Sequence, residues 1–408
     1  MTTPAIQQSA SPPVFREAVR RQGEPPAASP IPPLFRLGFR PFYLLAATFA
    51  GVAVPLWAAS FLGLTNIRTG LAWHVHEMVF GFAIAVIIGF LFTAGRNWTG
   101  LWTPRGRHLA ALAGLWLAGR LAMLAAPAGA AAVIDLAFIP LAAWPLYQVL
   151  SRSGNKRNLF LVGLLGLLST LNAIFHASVL GWLAVNPIHP VQSAILVIVM
   201  IETIIGGRVI PGFTANMARG AQPVVNAQRD RICIALVAAT ALAWSVGLPA
   251  PVTASFSIAA AFAVLTRLLG FMPQRSVRHP LLWILHLSYG WLVIGLFLLG
   301  LSSLGLVSTS AAFHALGVGA TAGLVIGMLT RTALGHTGRP LKAGAAEITM
   351  YLALHAGAVL RVLASLQVTD SYAFLVGASA LCWSAAFLLY AVVYGPWLCS
   401  ARADGKDG

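Results

Sequence analysis

The chain reads as an all-α protein, a polytopic bundle of about 12 transmembrane helices with both termini cytoplasmic and no sizeable soluble domain. Three observations carry that reading. Of 408 residues, 58% are hydrophobic and 9% charged, against a soluble norm of about 45–50% and 25%. Mean hydropathy is +0.82, so polar groups are too few to cover a water-facing surface. Apolar runs long enough to cross a bilayer recur at short intervals, and basic residues collect in every second loop between them.

The elements follow in order. Residues 1–33 form a polar leader rich in Pro, Ala and Ser (SPPVFREAVRRQGEPPAASPIPP), too long for the n-region of a signal peptide and too rich in proline to fold. It is expected to be a disordered cytoplasmic leader. The helical domain spans 34–400, and 401–408 make a short cytoplasmic tail. Twelve spans are expected at Phe42–Leu62, Val75–Gly95, His108–Ala126, Val133–Leu150, Leu159–Leu183 and Pro190–Ile210, then Ile232–Val246, Thr253–Leu269, Leu281–Leu301, Ala311–Thr330, Ile348–Leu366 and Tyr372–Leu398. The seventh and eighth are separated only by Gly247–Val252 and are the least sharply marked.

Basic residues test the count. With Arg16, Arg20, Arg21, Arg36 and Arg40 inside, the loops carrying Arg96/Arg105/Arg107, Arg152/Lys156/Arg157, Arg208/Arg219/Arg229/Arg231, Arg275/Arg278 and Arg331/Arg339/Lys342 all fall on the same side, as do Arg402 and Lys406. The alternate loops are nearly free of Lys and Arg, Arg68 being the main exception. This asymmetry satisfies the positive-inside rule with an even number of spans. The excess of 26 Lys+Arg over 10 Asp+Glu is thereby a topology signal spread over short loops, which argues against nucleic acid as a partner. Cys233, Cys382 and Cys399 have no regular spacing, which argues against a disulfide framework, an iron–sulfur cluster or a thiolate zinc site.

Ionisable residues inside hydrocarbon are expensive, and each is a functional candidate. On a rise of roughly 1.5 Å per residue, most membrane histidines gather at the outer end of the bundle. His74 and His76 open span two, His176 lies in the outer third of span five, His189 opens span six and His314 opens span ten. A single such histidine is most simply a helix cap or a headgroup contact. Several at one depth favour a metal or haem site, because neutral imidazole is a common ligand for both. Positions two apart on a helix point to opposite sides, so His74 and His76 are not expected to share a centre unless the helix begins between them. Glu77, three residues after His74, is placed to orient its imidazole. Glu202, deep in span six, is either a ligand or proton-relay member or a neutral core acid. Arg120 and Asp135 flank the hairpin between spans three and four and are expected to pair. The sharper alternative gives Arg120, or Arg361 in span eleven, to an anionic cofactor edge. His355 and His286 are expected to be hydrogen-bonded core residues or proton-path members. Spans two, six and ten share a pattern, each beginning with His outside and ending with Arg inside (Arg96, Arg208, Arg331).

The segments WHVHEMVFGF (Trp73–Phe82), GFLFTAGRNWTG (Gly89–Gly100), GGRVIPGFTANM (Gly206–Met217) and TRTALGHTGR (Thr330–Arg339), with LFRLGFRPFYLLA at the first span, closely resemble the NnrS family over essentially the whole chain after the leader. That resemblance implies a haem- and copper-containing protein of the bacterial inner membrane, associated with denitrification and with tolerance of nitric oxide and nitrosative stress. The arrangement is also similar to the catalytic subunit of haem-copper oxidases. By that analogy His74 or His76 with His314 are haem-ligand candidates, and His176 with His189, together with His76 and Glu202, are copper candidates; Arg120 and Arg361 are candidates for the haem propionates. The chain departs from the oxidase pattern: it has no His-His pair on span seven, no His-x-His on span ten and no His-x-x-x-Tyr on span six. The glycine-rich helix ends at Gly206-Gly207-Arg208 and Gly335–Arg339 fit close packing and C-terminal caps better than a phosphate or lipid-headgroup site.

Three functional classes follow. The first is a haem-copper protein that binds or senses nitric oxide at the periplasmic side. The second is a cofactor-free transporter or channel for a small solute, with Glu202 and His355 as a midplane relay. The third, a redox enzyme, needs an electron-donor partner, because no Cys-x-x-Cys-His or dinucleotide fingerprint is present.

Overall fold

A computed structural model describes residues 30–67 and 69–406. The leader expected over 1–33 therefore lies almost wholly outside the described residues, as do Arg16, Arg20, Arg21 and Arg68. Among the described residues there is no strand, and twelve helices of 19 residues or more follow one another. They are α1 (Phe39–Phe61), α2 (Leu71–Thr99), α3 (Arg107–Ala125), α4 (Ala128–Arg152), α5 (Phe160–Val179), α6 (Ile188–Met217), α7 (Ala227–Ser245), α8 (Ala250–Gly270), α9 (Pro280–Ser303), α10 (Thr309–His336), α11 (Ala345–Leu366) and α12 (Tyr372–Leu398).

Eleven of these are long and apolar enough to cross a membrane; α7 is the exception. Its first turn holds Arg229, Asp230 and Arg231, which dilute an otherwise apolar helix. The side chain of Asn226 accepts from the backbone N–H groups of Gln228 and Arg229 (both 2.9 Å). This N-cap starts the helix ahead of the apolar run at Ile232. The charged turn is used: Asp230 Oδ1 accepts from Arg267 Nε on α8 at 2.9 Å.

Helices α2, α6 and α10 run past their expected ends, to Thr99 rather than Gly95, Met217 rather than Ile210 and His336 rather than Thr330. Arg96, Arg208 and Arg331 thus belong to helices, not loops. Long basic side chains carry their charge toward water while the backbone stays helical. Trp102 holds Arg96 and Arg105 over its ring at 4.1 and 4.0 Å. Gly207 makes room on α6 for the buried guanidinium of Arg267 from α8, with which a Cβ there would collide.

The centre of the bundle is set by enclosure. Of their most apolar stretches, α2 has 83% and α10 has 78% buried, against 33% for α5. Around them α12 closes on α1: Trp383 Nε1 donates to Ala50 O (2.9 Å) and Ser384 Oγ to Gly51 O (2.6 Å). Arg40, at the start of α1, donates to Leu398 O and Ser400 O (2.8 Å each) just past α12. The two ends of the helical region therefore meet at one face of the bundle.

Candidate functional site

The functional candidates converge where α2, α6 and α10 begin. In α2 an α-helical turn ends at His76, and a π-helical stretch, Glu77–Ala83, follows at once. In α10 the same switch comes after His314, with a π stretch at Ala315–Ala322. Wide π turns are rare, and they recur at functional sites because they rotate side chains relative to a regular helix. Helix α6 starts with a histidine too, yet continues as one α-helix.

His74 and His76 diverge into two compartments. His74 faces a cavity of about 130 Å³ that His314, Arg361, Met78, Ile198 and Thr321 also line. Its walls are mostly apolar. The His74 ring stacks on Trp57 (centroids 3.9 Å apart, 17° between planes), and its Nδ1 is buried without a hydrogen-bond partner. His314 Nδ1 lies 2.7 Å from the carbonyl oxygen of Ser310. That nitrogen donates, which leaves Nε2 as the basic one. Arg361 donates to Ser365 Oγ (2.8 Å) and has no carboxylate partner among the described residues. Two imidazoles with free lone pairs and an uncompensated guanidinium thus surround one apolar space.

The second compartment is a closed polar cluster. His76 Nδ1 is 2.9 Å from Glu77 Oε1, and its Nε2 is 3.0 Å from Asn172 Oδ1 and 3.2 Å from Asp135 Oδ2. Arg120 donates to Glu77 Oε1 (2.7 Å) and, through its other terminal nitrogen, to Asp135 Oδ1. Asn172 Nδ2 (2.7 Å) and His176 Nε2 (3.0 Å) both meet Asp135 Oδ2. None of these six side chains is more than 4% exposed. Gly81 makes room for them, since a Cβ there would press on Arg120 and Glu77, and its carbonyl accepts from Trp116 Nε1 (3.0 Å). Both ring nitrogens of His76 face oxygen atoms, so a metal ion there would take the place of the Nε2 proton. Donor atoms of His76, Asp135 and His176 lie within 4.8 Å of one another, close enough for one ion to bridge them.

The structure distributes the remaining expected residues differently. His189 stands apart: its Nε2 is 3.1 Å from Ser245 O on α7, beside the Trp244 ring. Arg120 belongs to the polar cluster and pairs with Asp135, whereas Arg361 lines the apolar cavity. Glu77 bonds to His76, not to His74 as its spacing suggests. Asp135, Asn172, Ser310 and Trp57 complete the two compartments. Asn172 was legible in principle, four residues before His176 on the same helix face.

Glu202 lines a second, almost wholly apolar cavity, where its Oε2 and Thr321 Oγ1 are buried without partners. This cavity shares Ala83, Ile198 and Thr321 with the His74 cavity. It shares Phe90, Ile205, Val209 and Met328 with a basic hollow at the opposite end of α2, α6 and α10. The three form a column along the central helices. His355 lines none of them; its Nε2 is 3.5 Å from Ser288 Oγ. His286 is held by Leu282 O (3.0 Å) and Thr214 Oγ1 (3.2 Å) as a core residue.

Among known proteins, the family model described as NnrS protein matches residues 33–402, nearly the whole chain. No curated protein matches it.

Proposed function

The chain belongs to the NnrS family, and on that premise we propose that it is a haem- and copper-containing protein of the bacterial inner membrane that binds or senses nitric oxide. Haem would occupy the His74 cavity, with His74 and His314 as its imidazole donors and Arg361 beside its carboxylates. Copper would sit among His76, Asp135 and His176. The end of the bundle holding both would face the periplasm, and the basic ends of α2, α6 and α10 the cytoplasm, as the positive-inside rule asks.

One observation supports this reading most strongly. His74 and His314, from separate helices, line one apolar cavity, and the buried Nδ1 of His74 has no hydrogen-bond partner. A buried nitrogen without a partner costs about 1–3 kcal/mol, and coordination to iron removes that cost. A bound haem would supply redox-active iron, able to take up a diatomic ligand only in exchange for one of the two imidazoles. The protein's own share is separable: Ser310 O fixes the His314 tautomer, Trp57 holds the plane of the His74 ring, and the apolar walls exclude water. In the polar cluster, nitrogen and carboxylate donors without thiolate suit Cu(II). There Glu77 orients His76 through Nδ1 and leaves Nε2 toward Asp135.

The test is optical. Protein purified from haem-replete cells should show a Soret band that shifts when the reduced sample meets nitric oxide, and His314→Ala should abolish the band while the protein stays monodisperse. A colourless wild-type preparation would defeat the reading. It would favour instead a cofactor-free small-solute transporter, for which the column of contiguous cavities past Glu202 is the supporting observation. Reduction of nitric oxide would additionally require an electron-donor partner.

A further inference from the structure

At the end of the central helices remote from His74 and His314 lies a hollow of about 800 Å³, lined by Asn97, Arg157, Asn158, Arg208, Arg331 and His336 among others. None of its lining residues is acidic. Arg331 is buried, at 8% exposure. Its guanidinium sits 3.5 Å from the centre of the Phe213 ring, and Nη1 donates to the thioether of Met217 at 2.8 Å, a weak acceptor. Arg208 donates to Asn158 Oδ1 at 3.2 Å.

Most other buried arginines show how this fold treats a guanidinium, Arg361 with its Ser365 Oγ contact being an exception. Arg120 meets Glu77 and Asp135, Arg267 meets Asp230, and Arg40 meets two backbone carbonyls. Arg331 has neither kind of partner among the described residues. Helix dipoles do not replace one, because they act within the last turn. Helix α10 runs on to His336, and α6 runs past Arg208 to Met217. An uncompensated buried cation is costly, and the cost is removed by an anion.

We infer that this hollow binds a phosphate-type oxyanion, clamped between Arg331 and Arg208, with Arg157 and the Asn97 and Asn158 amides at its rim. The planar guanidinium fork matches two oxygens of such a group, and arginines on separate elements can grip it from different sides. The same chemistry is offered by a free small oxyanion and by the phosphodiester of an anionic lipid. The site goes beyond the haem and copper reading and does not depend on it.

The experiment uses the full chain in phosphatidylcholine nanodiscs and chloride buffer. One arm titrates inorganic phosphate and follows thermal unfolding. The other replaces part of the lipid with phosphatidylglycerol and counts retained lipid by native mass spectrometry. One of the two should show saturable binding, and the arm that does so identifies the source. Binding should weaken about tenfold or more in Arg331→Gln and Arg208→Gln, and hold in Arg275→Gln, which removes one exposed positive charge from another loop. Should Arg331→Gln fail to accumulate, Arg208→Gln decides. Failure of both arms with the wild-type protein, or equal weakening in all three variants, overturns the inference. Haem and copper content measured on the same samples keeps this outcome separate from the fate of the cofactor reading.

Discussion

His74 and His76 are two residues apart in one helix, and their surroundings are opposites. His76 belongs to a cluster in which Glu77, Arg120, Asp135, Asn172 and His176 bond to it or to one another, with Glu77 Oε2 and Arg120 Nε left without partners. His74 has an aromatic ring on one face, an apolar cavity beyond, and a buried nitrogen with no partner. That network holds helices α2, α3, α4 and α5 together, and a metal ion would enter it by replacing a proton between His76, His176 and Asp135. A site left incomplete by the protein is completed by something else. Sequence proximity says nothing about which of the two a histidine enters; the helical period and the π stretch after His76 decide it.

Variants that break this contrast have effects of graded size. Arg120→Met leaves Glu77 and Asp135 buried without their counter-charge and should cost about 3–5 kcal/mol. The purified variant should unfold far below the wild type, or fail to accumulate. Asn172→Leu removes one donor to Asp135 and one acceptor from His76, for an expected loss of about 1–3 kcal/mol, visible as a smaller drop in the unfolding midpoint. Compared in haem-free protein, His74→Ala forfeits its stacking on Trp57 and no hydrogen bond at Nδ1, so about 0.5–1.5 kcal/mol is expected. Equal loss of stability in His74→Ala and Asn172→Leu would erase the distinction. Ser310→Ala is the mildest: it removes the Ser310 Oγ contacts to His314 Nδ1 and Ser365 Oγ (3.1 Å each) but keeps the shorter 2.7 Å bond from His314 to the Ser310 carbonyl, so cofactor content and stability should change little.

Much of the bundle is legible in the sequence because lipid imposes a simple rule, that every span be long and apolar. The rule misplaces ends where polar side chains lie inside a helix. Arg96, Arg208 and Arg331 look like loop residues yet are helical, and the charged first turn of α7 precedes its apolar run. Depth is equally legible: His74, His76, His176, His189 and His314 sit near helix ends as the residue count suggests. What depth cannot supply is direction around the helix and the choice of neighbours. His189 therefore turns to Ser245 on α7, while His76 reaches Asn172 and Asp135 on two other helices. Glu77 shows the same limit, since its partner is the adjacent His76 and not the residue three positions back.

The central claim is that the two compartments hold two different cofactors. It is tested by measuring haem from the optical spectrum and copper by elemental analysis in four purified variants. His74→Ala and His314→Ala should lose haem and keep copper, whereas His76→Gln and His176→Gln should lose copper and keep haem. Haem retained in both His74→Ala and His314→Ala, or both cofactors lost together in every variant, would contradict the account.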